Sequence, residues 1–277
     1  MTTAAVPATP ARIRAVPAAV KRPGLPDALR SELTKILSVR STYWTLLAQV
    51  VASIAWAVLN CAGIVSHGAG PDFNAAEASL TGQVALGELI IVVLGALVIT
   101  SEYSTGMIRT SLAVMPRRGV LYAAKAIVFA AVTLTISLVT SFVAFFVGQA
   151  ILSSKHYNTT LAEPGVLRAV LLSAAIVAVF GLLAYGAGAI IRHSAGAITA
   201  ILGVIFLIPA LAQALPNSWF ADVVRWLPGG EALNPIASSA PPISDHLFSA
   251  WGEFAVFSGY AVVLLAVGAW LFIRRDA

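Results

Sequence analysis

The chain reads as long apolar runs separated by short polar segments. Six runs stand out: Trp44 to Val65, Leu80 to Thr100, Leu121 to Leu152, Val166 to Ile191, Ala195 to Leu215 and Phe254 to Ile273. A helix needs about 20 apolar residues to cross a hydrocarbon core roughly 30 Å thick, and each run meets or exceeds that. The third is longer than one crossing needs, so its first turns are expected at the interface, or the whole span tilts. None shows the apolar/polar alternation of a membrane β-barrel. In lipid the backbone must satisfy its own hydrogen bonds, which leaves a helical bundle. The expected fold is an all-α membrane protein with six transmembrane helices.

The segments beside the runs have a different pattern. In DALRSELTKILSVR, Leu29, Leu33, Ile36 and Leu37 form one stripe, with Arg30, Glu32, Lys35 and Ser38 facing away. Asp27, after Pro26, suits a helix N-cap. This predicts an amphipathic helix over 27–42, ending near Arg40. Its natural place is in the membrane plane, and the alternative is a solvated extension of the first span. Residues 1–26, rich in Ala, Pro and Thr, read as a disordered tail. Between the second and third runs lies SEYSTGMIRTSLAVMPRRGVLYAAK. There Ile108, Leu112 and Met115 share a helical face, Arg109 points elsewhere, and Pro116 ends the helix. Such a segment suits docking to a partner, or it is a plain loop whose arginines fix topology.

Composition narrows the class. Apolar residues make up 59% of the 277 and charged residues only 10%. A soluble domain carries about 25% charge, so a soluble enzyme is excluded. The single cysteine, Cys61, excludes a disulfide framework within the chain and a cysteine-based metal site. The formal charge of +5 is explained by its distribution. With six spans, 14 of the 17 basic residues fall on the side of the two termini. Only Lys155, Arg168 and Arg225 fall opposite. The positive-inside rule then puts both termini in the cytoplasm. No nucleic-acid partner is needed to explain the charge. The excess of Arg over Lys, with abundant Ala and Val, points to a bacterial plasma membrane.

Catalytic motifs are lacking. The sequence has no G-x-x-x-x-G-K-[ST], no H-E-x-x-H and no G-x-S-x-G, and no His set at metal-ligand spacing. Glu88 is the one ionisable residue well inside a run. It is either a pathway residue or inter-helix partner, or lies near the outer headgroups of a span that really begins near Val84; the second reading is the expected one. Gly181, Ala184, Gly188 and Gly196 predict close helix packing. Trp251 and Trp270 bracket the last run like an interfacial aromatic belt. The segment 216–252, apolar and proline-rich, is expected to dip into the outer leaflet. Thr133, Thr135, Ser137, Thr140 and Ser141 are candidates to line a cavity, or are ordinary packing groups.

The loop also carries a family likeness. Glu102, Tyr103, Gly106, Arg109–Thr110, Leu112, Pro116, Arg117–Arg118 and Lys125, in that order, resemble the cytoplasmic loop of ABC transporter permeases of the type-2 exporter class. Thr105-Gly106-Met107 stands where Gly-Thr is common. The segment Glu32 to Thr42, Arg192 and the Arg-Arg-Asp-Ala end agree, so the likeness covers about residues 29–277.

The resemblance implies that the loop, through Glu102, Tyr103, Gly106, Arg109, Leu112, Pro116, Arg117 and Arg118, couples to a separate ABC ATPase subunit. It implies that Leu29, Glu32, Leu33, Lys35, Ile36 and Arg40 belong to an interfacial connecting helix. A second permease subunit, in a homodimer or heterodimer, completes the pathway. This chain then binds no cofactor, and ATP and Mg sit on the partner. An exporter of an amphipathic or lipophilic substrate is the expectation. The alternatives are an ATP-independent transporter or channel, opposed by the scarcity of charges in the spans, and a membrane anchor for a cytoplasmic complex.

Overall fold

The computed structural model describes residues 24–71, 73–208, 210–211 and 249–275. Those residues are helical, with no strand among them. Helix α1 is Leu25–Ser38 and α2 is Arg40–His67. Helix α3, Ala75–Ser104, runs continuously through a π-turn at Gln83–Gly87. A short helix, α4, is Met107–Val114, and α5 is Arg118–Leu152. Then come α6, Val166–Ile191, α7, Ser194–Leu207, which contains a second π-turn at Gly203–Leu207, and α8, Ala250–Arg274.

Five of these helices, α2, α3, α5, α6 and α8, are long and apolar enough to cross a membrane. The expected fifth span, Ala195 to Leu215, corresponds to the shorter apolar helix α7, and its last residues, 212–215, lie outside the described residues. So do the expected tail except residues 24–26, and the expected outer segment from 216 to 248. Helix α5 has 35 residues, about 52 Å at 1.5 Å per residue, well beyond one crossing.

The bundle is organised around α6. Two thirds (67%) of its most apolar window is buried, against 22% for α2 and for α8. Val92 and Ala96 of α3, Leu172, Ile176 and Phe180 of α6, and Phe257 and Ala261 of α8 form the largest apolar cluster. Small residues let the backbones approach. Any side chain at Gly95 would run into the Gly181 carbonyl, and one at Gly188 would meet Ile99 and the Ala96 carbonyl. Gly181 and Gly188 thus serve the packing role expected of them, and Gly95 is the partner on α3. The outside of the bundle is apolar: Trp44, Val51 and Leu59 of α2, Val139 and Phe146 of α5, and Val262, Val263 and Trp270 of α8 are exposed. A multi-pass membrane protein buries such a surface in lipid.

The chain's polar connections gather at two ends. At one, Gln149 at the end of α5 donates to the carbonyl of Ala75, and its Oε1 accepts from the backbone N–H of Thr159. At the other, Arg118 Nη1 donates to the Arg275 carbonyl and Arg275 Nη1 donates to the Ile190 carbonyl. Ala28 of α1 and Phe272 of α8 pack in one apolar cluster there, so the first and last described helices meet at this basic end.

One sequence expectation is corrected and two gain detail. Helix α1 starts at Leu25 with Gly24 as N-cap, and Asp27 sits at the third helical position, its carboxylate accepting from the Gly24 N–H at 2.9 Å. The stripe on α1 is split between two surroundings: Ala28, Glu32 and Ile36 are buried, Leu29 and Lys35 are half-buried, and Leu33 and Leu37 face outward. Glu32 and Lys35 turn inward because the bundle offers them charged partners, while Leu33 and Leu37 face an apolar surrounding. Finally, the helix that carries Glu88 begins at Ala75, and Glu88 is buried near the midpoint of its 30 residues.

Candidate functional site

At the basic end, three segments distant in sequence each contribute charge to one buried cluster. The third turn of α1 supplies Glu32 and Lys35, the last turn of α3 supplies Glu102, and the third turn of α5 supplies Lys125. Lys125 Nζ lies 2.6 Å from Glu32 Oε2 and 2.8 Å from Glu102 Oε1. Lys35 Nζ lies 2.9 Å from Glu32 Oε1 and 2.7 Å from Glu102 Oε1. The side chains of Glu32, Glu102 and Lys125 are 3–4% exposed, and that of Lys35 is 29% exposed. Two carboxylates face two ammonium groups, so the cluster is formally neutral. Burial pushes the Lys35 ammonium down, but hydrogen bonds and charge from Glu102 and Glu32 outweigh it and hold its pKa above the ordinary lysine value.

An aromatic layer lies next to this cluster. Tyr122 and Tyr185 have ring centroids 5.1 Å apart, and Phe272 sits 5.5 Å from Tyr122. Tyr185 donates to the Tyr122 carbonyl at 3.1 Å, and Tyr122 donates to the Leu265 carbonyl at 3.2 Å. Tyr103, one residue beyond Glu102, packs edge-on to Phe272 and carries the Arg192 guanidinium over its face at 4.9 Å. Arg192 itself has positive φ where α6 turns into α7. The layer ties α3, α5, α6 and α8 together beside the charges.

Beyond Glu102 the chain turns sharply. Gly106 has φ +70°, a left-handed conformation that costs glycine least, and it starts α4. Ile108 and Met115 are buried against the bundle, Leu112 is half-buried, and Arg109 is exposed. Pro116 and Arg117 are exposed as well. The expected amphipathic loop helix is therefore present, with Arg109 outward. Arg118 differs, because its side chain is engaged with the Arg275 carbonyl.

The structure thus brings Glu32, Lys35 and Glu102 together with Lys125. It places Tyr103 beside them, Gly106, Arg109, Leu112, Pro116 and Arg117 on the adjoining loop, and Arg40 exposed at the start of α2. Leu29 and Ile36 anchor α1 inward. Glu88 belongs to a different part of the bundle. The hydroxyls proposed to line a cavity do not share one surface: Thr133, Ser137, Thr140 and Ser141 are fully buried, whereas Thr135 is exposed. Thr133 and Thr140 bond carbonyls of their own helix, and Ser141 meets Ser173 of α6 at 3.1 Å. Glu32 was missed as a buried group. The available signal was opposite charge on three segments, Glu32, Glu102 and Lys125, at the same end of the spans.

Compared with known protein families and with curated proteins, the chain matches none.

Proposed function

We propose that this chain is the transmembrane permease subunit of an ATP-driven ABC exporter of the type-2 class. The supporting observation is the cluster of Glu32, Lys35, Glu102 and Lys125 next to α4. A loop helix with Arg109 outward, followed by the exposed Arg117, is joined closely to Glu102, and through Glu102 to α1 and α5. A push on α4 from an acidic cleft of a partner would reach three segments at once. Buried, hydrogen-bonded charges resist sliding apart, which makes them suited to carry such a displacement.

In this reading an ABC ATPase subunit docks on α4 at the cytoplasmic face, with ATP and Mg on that partner. Two permease subunits enclose the pathway, six spans each, with both termini in the cytoplasm of a bacterium. The substrate is amphipathic or lipophilic, in keeping with the apolar surface of the helices. Coupling requires the ATPase to bind two permease states with different affinity.

The test is purification of the tagged chain in mild detergent after co-expression with ABC ATPases of the same genome. A stable complex that hydrolyses ATP, and loses transport when Arg109 and Arg117 are both changed to Glu, is the expected result. Substrate flux in liposomes holding this chain alone would overturn the reading.

A further inference from the structure

The loop helix α4 is fastened to the bundle at both of its ends, and both fastenings lead to the end of α6. Just before α4, the Tyr103 ring lies under the Arg192 guanidinium at 4.9 Å. Just after it, Arg118 Nη1 donates to the Arg275 carbonyl at 2.8 Å, and Arg275 Nη1 donates to the Ile190 carbonyl at 3.1 Å. Ile190 lies in the last turn of α6, and Arg192 is its C-cap. The contacts form a closed clasp, with Tyr103 and Arg192 in front, and Arg118, Arg275 and Ile190 behind. Carbonyls in the last turn of a helix lack a partner within it, and a cation placed there also complements the helix end.

The backbone at Arg192 is a second, independent observation. Arg192 has φ +59° and ψ +14°, the left-handed region, and its N–H donates to the Gly188 carbonyl at 2.9 Å. A helix end of this shape usually carries glycine, which has no Cβ to clash. Arginine is a poor choice for that backbone, so its benefit lies in the guanidinium. That group sits over Tyr103 as a cation–π contact. The next residue, His193, caps α7, its Nδ1 accepting from the Gly196 N–H at 3.2 Å. One residue therefore grips the entry of α4 with its side chain and forms the turn from α6 into α7 with its backbone.

We propose that Arg192 is a positioning residue that holds the front of α4 against the α6–α7 turn, so that α4 and α7 move together. The buried charges lead from Glu102 to α1 and α5, whereas Arg192 leads to α6 and α7, a separate route. The proposal rests on the ATPase reading only for what moves α4.

A helix-end role and a positioning role predict opposite results for Arg192→Gly. As a helix end alone, glycine is the better residue and nothing is lost. As a clasp, α4 comes loose.

The experiment is hydrogen exchange of the α4 amides in the purified full chain, with unfolding midpoints measured on the same preparations. Arg192→Gly should leave the midpoint within a few degrees and speed α4 exchange at least about tenfold. Arg192→Lys, which keeps the cation, and Tyr103→Phe, which keeps the ring, should retain most of the protection. Tyr103→Leu should match Arg192→Gly, and the double variant should exchange no faster than either, as coupled partners require. Should Arg192→Gly fail to fold, the pair Tyr103→Phe and Tyr103→Leu decides. Unchanged α4 exchange in Arg192→Gly, effects that multiply in the double variant, or faster exchange throughout the bundle with a fallen midpoint overturns the clasp. The link to α7 is read by thiol labelling of Ala195→Cys, at an exposed position, with an ABC ATPase of the same genome co-expressed. ATP should change the labelling rate, and Arg192→Gly should abolish the change while crosslinking from position 109 to the ATPase persists. No response to ATP in the presence of that crosslink, or a response that survives in Arg192→Gly, overturns the link. Absence of the crosslink counts against the ATPase reading and leaves the exchange result to decide the clasp.

Discussion

Lys125 of α5 and Glu32 of α1 lie 2.6 Å apart with almost no access to solvent, across 93 residues of sequence. This pair fixes the first helix against the bundle. Replacing Lys125 by Met leaves two buried carboxylates with only the half-exposed Lys35 between them. Breaking a buried pair by removing one partner costs about 3–5 kcal/mol, so this variant should unfold at a much lower temperature. Thermal unfolding in detergent, compared with Lys155→Met on the opposite end, checks it.

Removing the whole cluster should behave differently. Apolar residues of similar volume at Glu32, Lys35, Glu102 and Lys125 leave no uncompensated charge, and such replacements are often neutral or stabilising by about 1–4 kcal/mol. The expected outcome is a chain that folds and binds its ATPase but no longer links ATP turnover to transport. ATPase and flux assays on one preparation separate the two effects.

Lys35 has its pKa raised by its two carboxylate neighbours, which outweigh burial. A raised lysine contributes stability that is complete below the ordinary value of 10.5 and is lost only as pH rises through the higher folded value. The difference in unfolding temperature between the natural chain and Lys35→Met should therefore stay constant from about pH 7 to about pH 9. A difference that shrinks across that window would contradict the pairing.

Gly95 faces the Gly181 carbonyl so closely that even a methyl group has no room. Gly95→Ala should destabilise by about 1–3 kcal/mol, as overpacking does. Gly259→Ala, where the space is open, should be close to neutral. Unfolding midpoints of the two variants give the comparison directly.

Cys61 is the one cysteine of the chain and is fully buried, so labelling of introduced cysteines starts from a silent background. Cysteines at Arg109 and at Lys155 should label from opposite sides of the membrane in intact cells and inverted vesicles. Labelling of both from one side would refute the topology.

Much of the bundle is legible in the sequence, because a membrane span announces itself by length and apolar content alone. Val166–Ile191 is found at its expected bounds. The orientation of side chains was harder to read. An amphipathic stripe is assigned by asking which face avoids water, and that rule inverts where lipid surrounds the protein. Leu33 and Leu37 point outward and Glu32 points in, since the bundle supplies the only groups able to satisfy a carboxylate. The same inversion buries Ser137 and Ser141. The π-turn at Gln83–Gly87 has no Pro to mark it in the apolar run, and Gly95 looked like any other glycine until Gly181 stood opposite. Arg109 points outward from α4, as its position on the helix implies, whereas Arg118 is held by the Arg275 carbonyl. Arg109 and Arg117 are therefore the cleaner probes of docking.

The central claim is that α4 seats in a partner ATPase. It is tested most directly by a photoreactive residue placed at Arg109, at Arg117 or, as control, at Lys155, with this chain co-expressed with an ABC ATPase of the same genome. Crosslinks to the ATPase from positions 109 and 117, changing in yield when ATP is added and absent from position 155, are the predicted result. Failure of positions 109 and 117 to crosslink to an ATPase that is present and active would contradict it.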